Sequence, residues 1–576
     1  MIKKLIPLLG QYRRYAVLAP LTVIAEVILE IFIPFLMAKI IDVGIAGSDM
    51  GYVARTGGLM VAMALLSLGC GALAGRFAAV ASMGFAKNIR RVLFGKVQEF
   101  SFSNIDKFST ASLITRLTTD VTNTQNVFML TIRMLVRAPI MLISATFMAI
   151  YINLRLSAVF LVMIPFVAFA MFLIMTRAFP RFQRMLKKYD EMNSVVQENL
   201  IAIRVVKAFV REEYENEKFR KAADRLRSTQ KNAEKLVVIT IPLMQFGMYA
   251  CMISISWFGG NMIITGSLQT GEFMSFISYI TQILMSLMMV GMVFVSLVIS
   301  KASVSRIVEV LDEKVDITDK EDGRTQGMCK DGSIVFDHVS FSYSKDAENL
   351  TLDNINLEIK SGETVGIIGG TGSGKTTLVQ LIPRLYDVLS GRILVGGVDV
   401  RDYGLDTLRN AVAMVLQKNV LFSGTIKENL KWGNPDASDG EIIEACKAAQ
   451  AHDFISGFPD GYDTVLGQGG VNVSGGQKQR LSIARALLKK PKIIILDDST
   501  SAVDTDTESR IRKAFSERLS DITTIIIAQR INSIIDADKI IVMDEGKIDA
   551  VGTHEELLKT NLIYREVYES QQKGVA

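Results

Sequence analysis

Eight consecutive residues have the types and the spacing of a phosphate-binding loop. They read Gly369-Gly370-Thr371-Gly372-Ser373-Gly374-Lys375-Thr376 and match the pattern GxxxxGK[ST]. An apolar run, Thr364–Ile368, precedes the loop and a helical run, Thr377–Leu385, follows it, which is the context that this motif requires. The glycines let backbone N–H groups surround phosphate oxygens, and the helix N-terminus adds a favourable dipole. Lys375 would neutralise phosphate charge and the Thr376 hydroxyl would ligate Mg²⁺, so a chance glycine turn is the weaker interpretation.

Two carboxylates follow a second apolar run. Ile493–Leu496 has the composition of a buried strand and is followed directly by Asp497 and Asp498. If this strand belongs to the same sheet as the loop, Asp497 can reach the Mg²⁺ shell. The sequence therefore predicts a nucleotide site with a metal held by a hydroxyl and a carboxylate.

A further polar segment lies between these two motifs. It contains Ser474, Gly475, Gly476 and Gln477 and precedes a helical run, Lys478–Lys489. Its N–H groups and hydroxyl could hold a γ-phosphate at the helix N-terminus. Because the segment does not easily reach the loop of its own fold, this pattern indicates a second copy of such a domain whose site it completes.

These motifs lie in a chain with the composition of a membrane protein. Hydrophobic residues make up 49% of its 576 residues and charged residues only 21%, which argues against a disordered or an ordinary soluble protein. Six apolar segments are long enough to cross a hydrocarbon core of about 30 Å. They lie near residues 16–46, 57–85, 128–151, 157–179, 237–263 and 273–300. The net charge of +5 is too small to indicate nucleic acid as a partner.

Positive charge is distributed unequally among the loops. Segment 86–127 carries six Lys and Arg residues and segment 180–236 carries fourteen, whereas the short connections near 47–56 and 152–156 hold one each. The two long loops and both termini are therefore expected on the cytoplasmic side of the lipid bilayer. Helical periodicity in 180–236 predicts a hairpin whose arms, of roughly 25 residues, each reach about 40 Å.

Five charged residues fall inside or beside the predicted spans: Glu26, Glu30, Arg76, Arg133 and Arg137. Such residues are expensive in a bilayer and need an explanation. They either line a polar path for a transported compound, or pair between helices and extend towards the interface. The sequence leaves both interpretations open.

A charged, glycine-containing stretch separates the apolar part from the part that carries the motifs. We predict a multi-domain protein with an all-α, six-helix transmembrane domain over residues 1–310. A linker over 311–332 and an α/β P-loop NTPase domain over 333–576 follow.

Taken together, six spans, the loop, Val473–Gln477 and the strand before Asp497 resemble an ABC exporter half-transporter over nearly the whole chain. This resemblance implies ATP and Mg²⁺ as cofactors. It also implies that Tyr343 stacks on adenine and that Gln417 joins Mg²⁺ or the attacking water to the transmembrane interface. By the same likeness 501–504 is the loop that follows the second strand, and Phe102–Thr118 and Arg204–Phe219 are the two intracellular coupling segments.

Two residues depart from the pattern of that family. Asp498 stands where the family has the Glu that polarises the hydrolytic water, and Gln529 stands where it has a switch histidine. Asp is one methylene shorter, and a shift of about 1 Å in such a group can cost on the order of a hundredfold in rate. Gln can donate a hydrogen bond to a phosphate but cannot carry a proton.

Such a chain has two roles: it hydrolyses ATP at its own Walker motifs, and it completes the site of another chain through Ser474–Gln477. The two departures together suggest that this chain has lost the first role. Family members dimerise head to tail, so each ATP lies between the Walker motifs of one chain and the Ser474–Gln477 equivalent of the other. We therefore expect a heterodimer with a second half-transporter, in which Asp498, Gln529 and Gln417 form a weak ATPase site. A slow homodimer, in which Asp498 still catalyses, is the alternative.

The resemblance implies ATP-driven export of small amphipathic or hydrophobic compounds across a bacterial plasma membrane. A second hypothesis is a regulatory or channel-like membrane protein that binds ATP without pumping, which the replacements at Asp498 and Gln529 favour. A soluble ATPase that acts on nucleic acid is excluded by the six apolar segments and the small net charge.

Overall fold

The computed structural model describes residues 2–319, 328–498, 505–518 and 521–573. The chain divides into two compact units, of which the first contains residues up to Gln98 and then Thr110–Glu313. The second contains Glu99–Ser109 and everything from Lys314 onward. Residues 311–313 of the predicted linker thus fall in the first unit and the rest in the second, with 320–327 outside the described residues.

The first unit is helical because its sequence consists of long apolar runs with few helix-breaking residues. Among the residues that the structure describes, six helical segments are long and apolar enough to cross a membrane, in agreement with the six predicted segments. In chain order its α-helices are Ile2–Leu5, Arg13–Lys39, Met50–Glu99, Thr110–Thr115, Val121–Ile152, Leu154–Ile201, Ile203–Ala208, Glu212–Val238, Thr240–Ile264 and Thr270–Asp312. A 3₁₀ helix covers Ile6–Tyr12, and π-helical turns cover Ile40–Ile45 and Arg116–Asp120.

Two of these helices form the hairpin predicted over 180–236. Leu154–Ile201 and Glu212–Val238 are its arms. Near the turn, the Nζ of Lys218 donates to Glu198 Oε2 at 2.8 Å and links the two arms. The accepting carboxylate raises the pKa of Lys218, although burial acts in the other direction.

Three of the charged residues in the spans pair with one another between helices. Arg137 donates to Glu26 Oε1 and to Glu30 Oε2, both at 2.5 Å. The backbone of Gly71 lies against the same carboxylate, since a Cβ there would be 3.0 Å from Glu26 Oε1. The interhelical interpretation therefore describes this cluster, although Glu26 Oε2 is buried with no hydrogen-bond partner among the described residues.

In its described part, the second unit contains three sheets. Its strands are β1 (Ile334–Phe341), β2 (Leu352–Ile359), β3 (Thr364–Gly369), β4 (Ser390–Val395), β5 (Val398–Asp399), β6 (Val412–Val415), β7 (Gly424–Thr425), β8 (Val465–Leu466), β9 (Ile493–Asp497), β10 (Thr523–Ile527), β11 (Lys539–Asp544) and β12 (Lys547–Gly552). The largest sheet has the order β12-β11-β3-β10-β9-β6 and is parallel except for β12. An antiparallel sheet has the order β2-β1-β4-β5, and β7 pairs with β8.

The central strands of the large sheet are rich in apolar residues because both of their faces are covered. Every residue of β9 and β10 is buried. The α-helices of this unit are Phe102–Phe108, Lys375–Gln380, Leu405–Ala411, Ile426–Leu430, Asp439–Ala448, His452–Ser456, Gly475–Leu488, Thr505–Arg518, His554–Thr560 and Leu562–Lys573. The unit is therefore an α/β domain, as predicted.

Candidate nucleotide-binding site

The order of the strands brings four of the predicted site segments to one edge of the large sheet. The phosphate loop follows β3, Asp497 ends β9, Gln529 follows β10 and Gln417 follows β6. These four strands are adjacent and parallel, with Ile527 opposite both Ile367 and Asp497. Ligands of open α/β sheets bind at the carboxyl ends of the strands, so this edge is the candidate site.

The phosphate loop has the backbone geometry that its glycines permit. Gly374 has φ +92°, a conformation that a residue with a side chain rarely adopts, and helix Lys375–Gln380 begins directly after it. The Nζ of Lys375 donates to the carbonyl oxygens of Gly369 at 2.9 Å and Gly370 at 2.7 Å. Burial lowers the pKa of Lys375, while the nearby carboxylates of Asp497 and Asp498 act in the opposite direction. The ammonium group is thus held over the loop, where it can meet phosphate charge.

A hydroxyl and a carboxylate meet beside the loop in the arrangement expected for a Mg²⁺ site. The Thr376 hydroxyl donates to Asp497 Oδ1 at 3.0 Å. Asp497 is only 2% exposed, and burial raises its pKa, with the charge of Asp498 adding to the effect. Oxygen donors of these two kinds fit Mg²⁺, which would offset the cost of burying the carboxylate.

The two residues that depart from the family pattern contact each other. The Gln529 Nε2 donates to Asp498 Oδ2 at 2.8 Å, and the Gln417 Nε2 lies 3.4 Å from the same oxygen. Asp498 has φ +47°, a strained conformation for a residue other than glycine, and its N–H donates to the Ile527 carbonyl. The side-chain hydrogen bond of Gln417 thus goes to Asp498 and not to Thr376 or Asp497. A carboxylate between two neutral amides can accept hydrogen bonds, but neither amide can relay a proton.

Tyr343 lies next to the helix that follows the phosphate loop. Its hydroxyl is 3.0 Å from the hydroxyl of Thr377, and its ring packs edge-on against Phe341 and Tyr386. The residue is 48% exposed, which leaves ring surface for a planar base.

Residues 474–477 form the start of helix Gly475–Leu488. Ser474 caps this helix, since its hydroxyl accepts from the Gln477 N–H and its own N–H donates to Gln477 Oε1. Ser474 and Gly475 are exposed, and within the described residues the hydrogen bonds of the Ser474 side chain stay inside this segment. Loop 501–504, which the resemblance also assigns to the site, lies outside the described residues.

Sequence reasoning missed one residue that fixes the position of Gln529. Gln571, on the helix Leu562–Lys573, donates to the Gln529 carbonyl at 2.8 Å and accepts from the Ile531 N–H at 2.9 Å. An amide on a distant helix carries no spacing signal, so only the folded chain reveals this clamp.

A strand–loop–helix phosphate site in an α/β domain, joined to six membrane-crossing helices, defines a membrane-bound P-loop ATPase. Family models agree: the model for the ABC transporter transmembrane region matches residues 17–287, and a second model, described as ABC transporter, matches residues 352–501. The chain belongs to the ABC transporter family and is a half-transporter of the exporter type, with fused transmembrane and ATPase domains.

Similar proteins extend over the whole chain. An uncharacterized ABC transporter ATP-binding protein of Bacillus subtilis, YfiB, is 41% identical over 99% of this chain and 98% of its own length. The ATP-dependent lipid A-core flippase of Desulfotalea psychrophila is 36% identical over 84% of each chain. The structure of a bacterial Atm1-family ABC exporter with ATP bound has a TM-score of 0.82 and 25% identity, over 98% of this chain and 99% of that chain.

Proposed function

We propose that this chain is one half of a heterodimeric exporter and that its own Walker site binds ATP with Mg²⁺ but hydrolyses it slowly. The contact between Asp498 and Gln529 carries this proposal. A neutral amide holds the short carboxylate, so the carboxylate is poorly placed to take a proton from water. The chain has a transport-coupled ATPase activity because it belongs to the ABC transporter family. We propose how hydrolysis is divided between this chain and a partner chain.

The residues for binding remain complete in this chain. Gly369–Thr377 would hold the phosphates, Tyr343 would stack on adenine, and Thr376 with Asp497 would ligate Mg²⁺. Gln417 would act at the metal or the attacking water once nucleotide draws it from Asp498. The metal supplies charge neutralisation between phosphates, and the protein residues supply position.

The exposed segment at Ser474 would serve a different ATP. In a head-to-tail pair, Ser474, Gly475, Gly476 and Gln477 face the phosphates bound by the partner half-transporter. A helix N-terminus with exposed N–H groups is suited to that task. This chain would thus complete the hydrolytic site of its partner, although its own site hydrolyses ATP slowly.

We further propose a plasma-membrane location with both termini in the cytoplasm, because Lys and Arg concentrate in the two long loops. The transported compound is proposed to be small and amphipathic or hydrophobic. Relatives support this class: one is named as a lipid A-core flippase, and another, from Bacillus subtilis, as a putative multidrug export protein that is 37% identical to this chain.

Removing the charge of Lys375 is expected to abolish tight ATP binding by this chain. A charged hydrogen bond to phosphate is worth about 2 kcal/mol, so Lys375→Met should weaken binding roughly thirtyfold. Binding of a fluorescent ATP analogue to the full chain in nanodiscs measures this effect. Lys447→Met is the matched control, because the Lys447 side chain forms an exposed ion pair with Glu444. Unchanged binding by Lys375→Met would contradict the assignment of this loop.

A further inference from the structure

One short helix from the first half of the sequence is built into the second unit. Helix Phe102–Phe108 belongs to segment Glu99–Ser109, which groups with the ATPase domain. Its first turn is fixed by a capping box between Ser101 and Asn104, and the Asn104 side chain also donates to the Lys314 carbonyl at 3.0 Å. The helix therefore has a defined position relative to the nucleotide site in the same unit.

Tyr386 makes the first connection between this helix and the candidate adenine site. Its hydroxyl donates to Asp106 Oδ2 at 2.7 Å, and its ring packs against Phe102 with centroids 6.0 Å apart. On its other side the same ring meets Tyr343 edge-on, at 5.2 Å and 90°. Burial raises the pKa of Tyr386, and the neighbouring Asp106 raises it further, so the hydroxyl remains a donor to that carboxylate.

Asp316 makes the second connection. Its Oδ2 accepts hydrogen bonds from the Ser103 hydroxyl at 2.8 Å and from the Lys345 Nζ at 2.9 Å. Burial alone would raise the pKa of Asp316, but the bonds from Lys345 and Ser103 hold it below its usual value. Lys345 lies two residues after Tyr343, so this carboxylate ties the helix to the turn that carries the candidate adenine contact.

We propose that Tyr386 and Asp316 are positioning residues through which helix Phe102–Phe108 detects adenine at Tyr343, as distinct from phosphate in the Walker loop. This inference rests on the proposed role of Tyr343. A base stacked on the exposed face of Tyr343 restricts the motion of that ring. The edge-on contact with Tyr386 and the Lys345–Asp316 pair then restrict the motion of helix Phe102–Phe108 at both of its ends. These groups lie outside 369–377, and Tyr343 touches that segment through its hydroxyl, 3.0 Å from that of Thr377. A site that hydrolyses slowly can thereby report that it is occupied.

The test compares two ligands and measures amide hydrogen exchange of the full chain in nanodiscs. ATP and inorganic tripolyphosphate are each added with Mg²⁺ at saturating concentration. Both should protect the loop 369–377. Only ATP should slow exchange in 100–109, by about threefold, because local opening of a helix falls when its contacts are fixed.

Conservative variants separate the proposed link from a structural role. Tyr386→Phe keeps the ring but removes the bond to Asp106, and Asp316→Asn weakens the pair with Lys345. Each should lose at least half of the response in 100–109, while the dissociation constant for ATP changes by less than about twofold. The matched controls are Tyr403→Phe, which removes a buried hydroxyl bonded to the Val395 carbonyl, and Asp337→Asn, which weakens an exposed pair with Arg392. Both controls should keep the full response.

Two results would overturn the proposal. Tripolyphosphate that protects 100–109 as strongly as ATP does would show that the helix follows phosphate, and full responses in Tyr386→Phe and Asp316→Asn would remove both connections. Wild-type chain that binds no ATP at all would instead overturn the proposed function, and the inference with it, so the two failures are distinguishable.

Discussion

Replacing Ser474 by Ala and Gly476 by Asp in this chain is expected to abolish ATP hydrolysis by its complex with the partner half-transporter. The substitutions remove a hydroxyl and place a negative charge at the helix N-terminus that would face the partner's γ-phosphate. Because phosphate stabilisation at such a position is worth several kcal/mol, we expect a loss of roughly a hundredfold or more. Phosphate release by the co-purified complex in nanodiscs is the measurement.

The chain itself offers a closely matched control. Ser438 caps helix Asp439–Ala448 through the same kind of capping box, and Gly440 occupies the equivalent second position with open space around it. Ser438→Ala with Gly440→Asp should therefore perturb a cap equally, at about 1 kcal/mol, and leave hydrolysis nearly unchanged. If the variant at Ser474 and Gly476 kept a third of the activity, the segment would not complete the hydrolytic site.

Replacing both Asp498 and Gln529 by the residues typical of the family is expected to activate hydrolysis at this chain's own site. Asp498→Glu lengthens the carboxylate towards the water, and Gln529→His supplies a side chain that can carry a proton. The double variant should hydrolyse ATP roughly tenfold or more faster than the wild type, since one group polarises the water and the other contacts the phosphate that the water attacks. Either single change should do less, because Asp498 and Gln529 are bonded to each other.

This second effect is measured in a complex whose partner carries an amide in place of its own hydrolytic carboxylate. Only the site on this chain can then turn over. Adding Lys375→Met to the double variant should return hydrolysis to the background, which shows that the gained activity uses this Walker loop. A double variant that stays within about twofold of the wild type would mean that Asp498 and Gln529 do not limit the site.

Motifs that act locally were predictable from the sequence. The apolar run Thr364–Ile368 and the glycines follow short-range rules, and β3 and its loop lie as they predict. The helix after the loop also forms, but it covers Lys375–Gln380 and not the predicted Thr377–Leu385. The six spans were equally accessible, because about 20 apolar residues suffice to identify one. In both cases the signal lies within one continuous stretch of chain.

Contacts between distant residues were not predictable. Nothing in the sequence indicates that Gln571 clamps Gln529, because that contact depends on where a helix packs against the loop after β10. Pairing between helices was one of two interpretations of Arg137, but the sequence does not indicate Glu26 as its partner, because that depends on how two helices are turned. Residues 314–319 have the charged composition of a solvated linker, yet Asp316 makes two hydrogen bonds in the second unit. Composition describes how a segment is solvated on average, and individual bonds depend on the fold.

The central claim is that hydrolysis needs a second, different chain, and the most direct test is the ATPase activity of this chain with and without it. The chain is purified alone in nanodiscs and then with the half-transporter encoded beside it. We predict almost no activity alone and a rise of roughly tenfold or more with the partner. Robust activity of the chain alone, destroyed by Asp498→Asn, would contradict the account and identify a homodimer in which Asp498 activates the water.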